Sequence, residues 1–140
     1  MQTFIPFKDI TKSAECLDNK RLGKQRIETV QIARCLLGLS PGGWKNHPAI
    51  KMWKGYEPYL IKVYLKAMMD EWEKRGFNND KTKEHYKELY RKIRRKKAIA
   101  PPWITDKFCI SHQSNLLRKN EEYYSKYFSA PKDLPYLWPM

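Results

Sequence analysis

The stretch from Leu17 to Leu37, LDNKRLGKQRIETVQIARCLL, carries the pattern from which both the fold and a candidate site can be predicted. Placed on a helical wheel at about 100° per residue, it separates into a polar side and an apolar side. The polar side holds Arg21, Lys24, Gln25, Glu28 and Gln31, and the apolar side holds Leu22, Val30, Ala33 and Leu37. We therefore expect an amphipathic helix that packs its apolar side on a core and exposes one acid among basic and amide groups.

The composition predicts a folded domain with an anionic partner. The chain has 140 residues, of which 41% are hydrophobic and 14% aromatic, enough to build a core in a single domain spanning residues 1–140. Its 28 Lys and Arg against 15 Asp and Glu give a net charge of +13. Such an excess of positive charge on a compact domain is typical of proteins that bind DNA or RNA. A basic but otherwise ordinary soluble protein is the alternative.

The sequence also indicates where the protein works. No apolar run is long enough for a transmembrane helix, and the first residues lack the pattern of a secretion signal. The cysteines at 16, 35 and 109 are widely spaced and odd in number, which favours reduced thiols over a disulfide framework. We expect a cytoplasmic protein without membrane contact.

Hydrophobic spacing predicts an all-α fold of about four to five helices, with an extended N-terminal arm and an aromatic C-terminal tail. Residues 1–8 are short and broken by proline, which favours an arm packed on the core. Helical spacing is then expected from Asp9 or Thr11 through Leu37, with a kink or break at Gly23. A glycine-rich loop over 38–43 should end this helix.

The second half of the chain continues the helical pattern. Apolar residues at spacings of three and four predict a short helix before Gly55, a long one from Pro58, and another over 81–97. A last helix is expected to begin at Ser111 or Ser114 and to be stepped at Asn120. No alternating strand pattern and no internal repeat occurs in the sequence.

Three further patterns each have a functional and a structural interpretation. Residues 91–97 contain six cations, which suits phosphate contacts but equally suits a solvated helix end. The aromatic residues from Tyr123 onward can stack on bases, although most of them are expected to pack in the core. Cys109 and His112 have the spacing of a metal pair, but a second pair is missing, so we expect no metal site.

Glu28 also has two interpretations that remain open at this level. It can act in catalysis on a bound nucleic acid. It can equally relieve repulsion between Arg21 and Lys24, which would stabilise the helix by about 0.2–0.5 kcal/mol.

Three segments of the chain resemble the phage-type pyrimidine-dimer DNA glycosylases, of which this chain looks like a divergent branch. Asn19-Lys-Arg-Leu22, followed by Glu28, is similar to the helix that carries the catalytic glutamate of that family. Asn46-His47 leads into a long helix ending Lys74-Arg-Gly-Phe-Asn78, which is similar locally. The segment from Ser114 to Phe128 follows the C-terminal pattern of the family.

The resemblance implies an all-α enzyme that bends DNA, flips a nucleotide and uses no metal or cofactor. It implies that an N-terminal α-amine attacks sugar C1′ to form an imine, while the glutamate stabilises the sugar cation and assists the β-elimination that cuts the strand. By position, Glu28 takes the carboxylate role. The large Gln2 side chain discourages removal of Met1, which favours an amine on Met1. If Met1 is removed, the amine is on Gln2. The expected DNA-binding residues are Lys20, Arg21, Lys24, Gln25, His47, Arg118, Lys119, Tyr123 and Tyr124.

The sequence therefore predicts a DNA-repair or modified-base glycosylase with abasic-site lyase activity. We expect it to act as a monomer on double-stranded DNA in the cytoplasm of a bacterium or a phage-infected cell. One alternative is a DNA- or RNA-binding module that keeps the fold without the chemistry. Another is a protein whose basic surface binds an acidic protein partner.

Overall fold

The computed structural model describes residues 1–40 and 45–139, and within these ranges the chain is all α-helical, without a strand. Seven helices form there, more than the four to five expected from the sequence. They are α1 (Ile10–Cys16), α2 (Asn19–Leu36), α3 (Pro48–Lys51), α4 (Glu57–Tyr59, continued by Leu60–Leu65 and Lys66–Lys74), α5 (Asp80–Ile93), α6 (Asp106–Lys119) and α7 (Glu121–Tyr124). None of these helices is both long and apolar enough to cross a membrane.

The first predicted helix is interrupted at Leu17 and Asp18 and not at Gly23. The two residues have extended backbone angles, with ψ of 139° and 160° respectively, so that α1 and α2 are separate helices. The expected break at Gly23 is wrong, because this residue lies inside the continuous helix α2. A Cβ added there would lie 3.1 Å from the indole of Trp72 in α4. The glycine therefore allows α2 and α4 to approach each other closely.

Helix α4 is the element on which α1, α2 and α5 all pack. Its middle segment, Leu60–Leu65, is π-helical, a form that occurs as short insertions in α-helices and often at functional sites. Tyr64 lies in this segment and is fully buried. Its side chain is therefore available to satisfy polar groups inside the protein.

Polar side chains cap the starts of the two C-terminal helices, α6 and α7. Thr105 caps α6 by accepting a hydrogen bond from the Phe108 N–H at 3.2 Å. The expected cap at Ser111 or Ser114 is wrong, because both serines face the core from inside α6. The step predicted at Asn120 is confirmed. Its side chain accepts a hydrogen bond from the Tyr123 N–H and caps the start of α7.

Helix α5 ends at Ile93, so the cation run of 91–97 continues beyond the helix. Lys62 of α4 donates hydrogen bonds to the carbonyl oxygens of Arg94 and Lys96, which fixes the turn that follows. All six cations of this run are exposed. The glycine-rich loop expected over 38–43 extends into residues outside the described ranges.

The C-terminal tail after α7 folds back onto α6. Arg118 donates to the carbonyl oxygens of Lys132 and Leu134 at 2.6 and 2.7 Å. Further along the tail, the Tyr136 ring stacks on His112 with ring centroids 4.6 Å apart. The tail therefore covers a buried part of α6.

Replacing Gly23 by Ala is expected to destabilise the protein by about 1 kcal/mol, although alanine favours a helix by about that amount. The added methyl group would have to displace the Trp72 indole. That ring is held by its Nε1–H bond to the Asn78 carbonyl at 3.1 Å and by stacking on Phe77, so it has little freedom to move. Chemical denaturation of the wild type and the variant measures the change in the free energy of unfolding.

The control is Gly23→Ala in a Trp72→Leu background, where the close contact is absent. There the substitution should be neutral or stabilising, because only the helix preference remains. An equal loss of stability in both backgrounds would contradict the close-approach explanation.

Candidate active site

The N-terminal arm, α2 and the end of α6 meet at a cavity of about 270 Å³, termed the Glu28 cavity. Glu28 lies half-buried in its wall. The cavity is lined by Met1, Gln2, Phe4, Lys20, Arg21, Lys24, Gln25, Glu28 and Lys119. Apart from Phe4, these are all residues that the sequence marks as candidates, now brought together from distant parts of the chain.

A hydrogen bond joins the arm directly to the acid. The backbone N–H of Gln2 donates to Oε2 of Glu28 at 3.1 Å. The amino group of Met1 is the next nitrogen along the chain, and successive residues are about 3.8 Å apart. The Glu28 carboxylate therefore contacts the Gln2 nitrogen directly and lies no more than about 7 Å from the Met1 amino group.

Gln25 and Tyr64 hold the first part of the arm. Gln25 Oε1 accepts from the Phe4 N–H at 2.9 Å, and the Tyr64 hydroxyl lies 2.9 Å from the Phe4 carbonyl and 2.7 Å from Gln25 Oε1. Gln25 is only 2% exposed. Its placement on the exposed face of the helical wheel is therefore wrong, because the arm covers this side of α2. Gln25 faces the cavity as a support for the arm.

Helix α6 holds the next residues of the arm. The Ile5 N–H donates to His112 Nδ1 at 2.9 Å, and Gln113 Nε2 donates to the Pro6 carbonyl at 2.7 Å. His112 is completely buried, and burial lowers its pKa to about 3, so the imidazole is neutral at physiological pH. Since Nδ1 accepts a hydrogen bond, the ring proton is assigned to Nε2. The sequence does not reveal this role, because His112 is separated from the arm by most of the chain.

Positive side chains surround the Glu28 cavity. Lys20 and Lys24 of α2 and Lys119 of α6 line it and are exposed. Arg21 also lines it, and pairs with Asp18 at 3.1 Å. Because these cations converge on one opening, the surroundings of the cavity attract a polyanion.

Three other expected DNA contacts lie away from the cavity lining. Arg118 is bound to the tail, and Tyr124 is fully buried with its hydroxyl donating to Asp18. Tyr123 is half-buried, and burial raises its pKa to about 12. In this structure the three side chains hold the tail, α7 and the start of α2 together.

His47 lies near the Glu28 cavity without lining it. Its Nδ1 accepts from the Ala49 N–H at 3.0 Å and caps α3, and its ring packs edge-on against Trp138. Burial lowers the pKa of His47, the positive amino terminus lowers it further, and the negative charge of Glu28 opposes both. His47 is therefore close enough to interact electrostatically with the amino terminus and with Glu28.

The tail also contributes Tyr136, which the sequence marks only as one of several tail aromatics. Burial raises the pKa of Tyr136, and the negative charge of Glu28 raises it further. Its hydroxyl is buried without a hydrogen-bond partner. Nothing local in the sequence distinguishes Tyr136 from its neighbours, because its burial depends on how the tail folds back.

Neither the two buried cysteines nor a cluster of metal-ligating side chains forms a second reactive centre in the described part of the chain. Burial raises the pKa of Cys16 to about 12 and that of Cys109 to about 11, so both thiols are protonated at neutral pH and are poor nucleophiles. Within residues 1–40 and 45–139, no group of three or more His, Cys, Asp or Glu side chains is arranged to hold a metal ion.

The family model for pyrimidine dimer DNA glycosylases matches residues 1–85 of this chain. The matched region contains the arm, Glu28 and the cations of α2, whereas Lys119 and His112 lie beyond it. No curated protein and no solved structure matches the chain.

The buried His112 is expected to make the stability of the protein depend on pH. Its pKa is about 3 in the folded protein and about 6.5 in an unfolded chain. Below pH 6.5 the unfolded chain therefore takes up a proton that the folded protein does not. The contribution of His112 to the free energy of unfolding should therefore fall by about 1.4 kcal/mol per pH unit as the pH drops from 6 toward 3.

A His112→Gln variant isolates this contribution, because glutamine can still accept the Ile5 N–H but does not titrate. The stability lost on substitution should be about 2 to 3 kcal/mol smaller at pH 4.5 than at pH 7, as measured by urea denaturation. The exposed His85 provides the control, and His85→Gln should show no such difference. An equal loss for His112→Gln at both pH values would contradict the buried neutral imidazole.

Proposed function

Because the chain belongs to the pyrimidine dimer DNA glycosylase family, we propose that it removes a damaged or modified base from duplex DNA and cleaves the resulting abasic site. The observation that carries this proposal is the 3.1 Å hydrogen bond from the Gln2 backbone N–H to Glu28 Oε2. It brings the start of the chain and a carboxylate together at a cation-lined cavity. Those are the groups that an amine-based glycosylase needs at one place.

In the proposed reaction, the α-amine attacks C1′ of the target sugar and the bond from C1′ to the base breaks. The base leaves with its electron pair and takes up a proton. The bound nitrogen loses a proton and its lone pair then expels O4′, which is protonated as the sugar ring opens, so that the nitrogen and C1′ form an imine that carries positive charge. Glu28 stabilises this charge, because a half-buried carboxylate interacts more strongly than one in bulk water. Removal of a proton from C2′ then expels the 3′ phosphate by β-elimination, and water releases the amine.

Either Met1 or Gln2 can supply the amine in this proposal. With Met1 retained, its amino group is one residue away from the nitrogen that contacts Glu28. With Met1 removed, the Gln2 nitrogen itself becomes the amine, and it already lies in contact with Glu28. Mass spectrometry of the intact N-terminus determines which residue carries the free amine.

The cations around the Glu28 cavity are the proposed contacts to DNA phosphates. Lys20, Lys24 and Lys119 are exposed and free to turn toward a backbone, and Arg21 contributes the remaining charge. Gln25 takes the role of a positioning residue, because its oxygen already accepts from the arm and from Tyr64. His47, which caps α3 near the cavity, remains a proposed DNA contact.

Borohydride trapping on duplex DNA with an abasic site tests the reaction. Reduction of the imine should join the protein covalently to the sugar, and peptide mapping should place the link at residue 1 or 2. Glu28→Gln should slow adduct formation by about 100-fold or more, as expected for loss of a positioned acid–base group. Glu84→Gln, which removes an exposed glutamate of α5, is the matched control and should trap at the wild-type rate.

A Gln2→Ala variant distinguishes the two candidate amines, since the small side chain permits removal of Met1. In this variant residue 2 carries the free amine. Adduct formation should be faster than in the wild type if the amine of residue 2 is the better-placed nucleophile, and slower if the Met1 amine is. Absence of any adduct with the wild-type protein, or an adduct on a lysine side chain, would overturn the proposed mechanism.

The salt dependence of duplex DNA binding tests the phosphate contacts. Alanine at Lys20, Lys24 or Lys119 should each lower the slope of log K against log salt by about one. Lys107→Ala is the matched control, because this exposed lysine lies on the same helix as Lys119 but 12 residues earlier, about 18 Å away. Filter binding at two or more salt concentrations measures the slopes. Tight, salt-dependent binding without trapping would favour a binding module, and a flat slope would favour a protein partner.

A further inference from the structure

A groove of about 710 Å³ lies between α2 and the start of α5 and is termed the α2–α5 groove. Its volume falls within the range of about 300–1,000 Å³ that is usual for small-molecule pockets. Among the described residues, those that line this groove are different from those that line the Glu28 cavity. The groove is therefore a candidate binding site separate from the one assigned to the reaction.

A buried arginine forms part of the wall of the groove. Arg26 is only 8% exposed. Its Nη1 donates to Asn79 Oδ1 at 2.8 Å and to Thr82 Oγ1 at 2.9 Å, and both partners also line the groove. The guanidinium carbon lies 4.2 Å from the centroid of the Trp72 ring. These contacts fix the guanidinium of Arg26 among the residues that line the groove.

The positive charge of Arg26 has no counter-ion. Both of its hydrogen-bond partners are neutral, and no carboxylate forms an ion pair with it in the described part of the chain. Its Nε is buried without a partner, and no described residue accepts a hydrogen bond from its Nη2. An arginine does not lose its proton in a protein, and a buried charge is costly unless it is paired. Arg26 therefore lacks the negative partner that its burial calls for.

The first turn of α5 adds backbone donors to the same groove. The first backbone hydrogen bond of this helix is donated by the Lys83 N–H to the Asn79 carbonyl. The Asn79 side chain accepts from Arg26 and does not cap the helix. The N–H groups of Lys81 and Thr82 therefore have no partner within residues 1–40 and 45–139. Unpaired N–H groups at the start of a helix favour an anion.

The other charged side chains leave the lining of the groove positive. Lys81 is exposed and adds a positive charge, whereas the exposed Asp80 beside it opposes that charge. Arg34 is paired with Glu88. The charge that remains is that of Arg26, so the groove attracts an anion.

The groove also has an apolar wall, which favours a small molecule over the backbone of a duplex. Ile27 and Val30 line it, and the Ile27 side chain is 54% exposed. A duplex keeps its bases stacked and presents mainly phosphates and sugars, which leave such a wall uncovered. A small anion with a ring covers the wall and reaches the buried Arg26 from inside the groove.

We propose that the α2–α5 groove binds a small organic anion, namely a phosphate monoester or a carboxylate attached to an apolar ring. One anionic oxygen accepts from Arg26 Nη2, and another accepts from the N–H groups of Lys81 and Thr82. The ring packs on Ile27 and Val30. This site does not depend on the proposed reaction, because it uses none of the residues that line the Glu28 cavity.

Titration of the full chain with phenyl phosphate and with benzoate, followed by proton–nitrogen NMR, tests the site and distinguishes the two kinds of anion. At least one of them should bind with a Kd of about 1 mM or tighter and should shift the amide signals of Lys81 and Thr82. Inorganic phosphate, which lacks the ring, and benzyl alcohol, which lacks the charge, should each bind at least about tenfold more weakly. Failure of both anions to shift these two signals would overturn the proposal, and equal binding of inorganic phosphate would overturn the role of the apolar wall.

Substitutions test the charges. Arg26→Gln keeps an amide beside α5 but removes the charge, and it should weaken binding about tenfold or more. Because Arg26 is buried, two exposed positions provide an independent test of opposite sign. Lys81→Gln should weaken binding about two- to fivefold, and Asp80→Asn should strengthen it by a similar factor. Lys87→Gln, at an exposed lysine of α5 outside the lining, is the matched control and should leave the Kd unchanged. Unchanged affinity in a folded Arg26→Gln variant, or effects of the same sign at Lys81 and Asp80, would overturn the proposal.

A duplex with a tetrahydrofuran analogue of an abasic site separates the small anion from DNA. The amide shifts caused by phenyl phosphate or benzoate should persist when this duplex is present at saturation. Their loss would assign the groove to a DNA phosphate and overturn the small ligand. Borohydride trapping reports on the Glu28 cavity alone, so a failure of the proposed reaction and a failure of this inference are seen in different experiments.

Discussion

A buried extended segment can exist in a helical protein only if side chains satisfy its backbone hydrogen-bonding groups. The N-terminal arm of this protein meets that requirement through Gln25 of α2, Tyr64 of α4, and His112 and Gln113 of α6. Each buried group left without a partner would cost about 1–3 kcal/mol. The arm therefore ties three helices together, and those helices in turn fix the arm.

The same hydrogen bonds determine what the protein can do with its first residues. Chain termini are usually poorly ordered unless the surrounding structure holds them. Here the anchored arm places the Gln2 nitrogen against Glu28, at an opening surrounded by cations. Reactive groups are most effective when residues behind them fix their geometry. The buried polar residues are thus explained by the position they give to the amino terminus.

This arrangement leaves some polar atoms unsatisfied. His112 Nε2 and the Tyr136 hydroxyl are buried without hydrogen-bond partners, although both rings stack on each other. Such atoms lower stability, and natural proteins concentrate them near functional sites. They also lie beyond residues 1–85, the region that the family model covers. The part of the chain beyond residue 85 therefore contributes Lys119 to the lining of the Glu28 cavity and His112 to the support of the arm.

The sequence by itself determined the features that depend on local spacing. The all-α class follows from apolar residues at spacings of three and four, the step at Asn120 follows from its capping side chain, and the position of Glu28 among cations follows from the helix period. The tertiary structure decided which segment covers each face. Gln25 is buried because the arm lies over it, and Lys119 joins Glu28 because α6 holds the arm, which in turn lies against α2. These contacts join residues far apart in the chain, and a local period holds no information about which distant segment will pack against it.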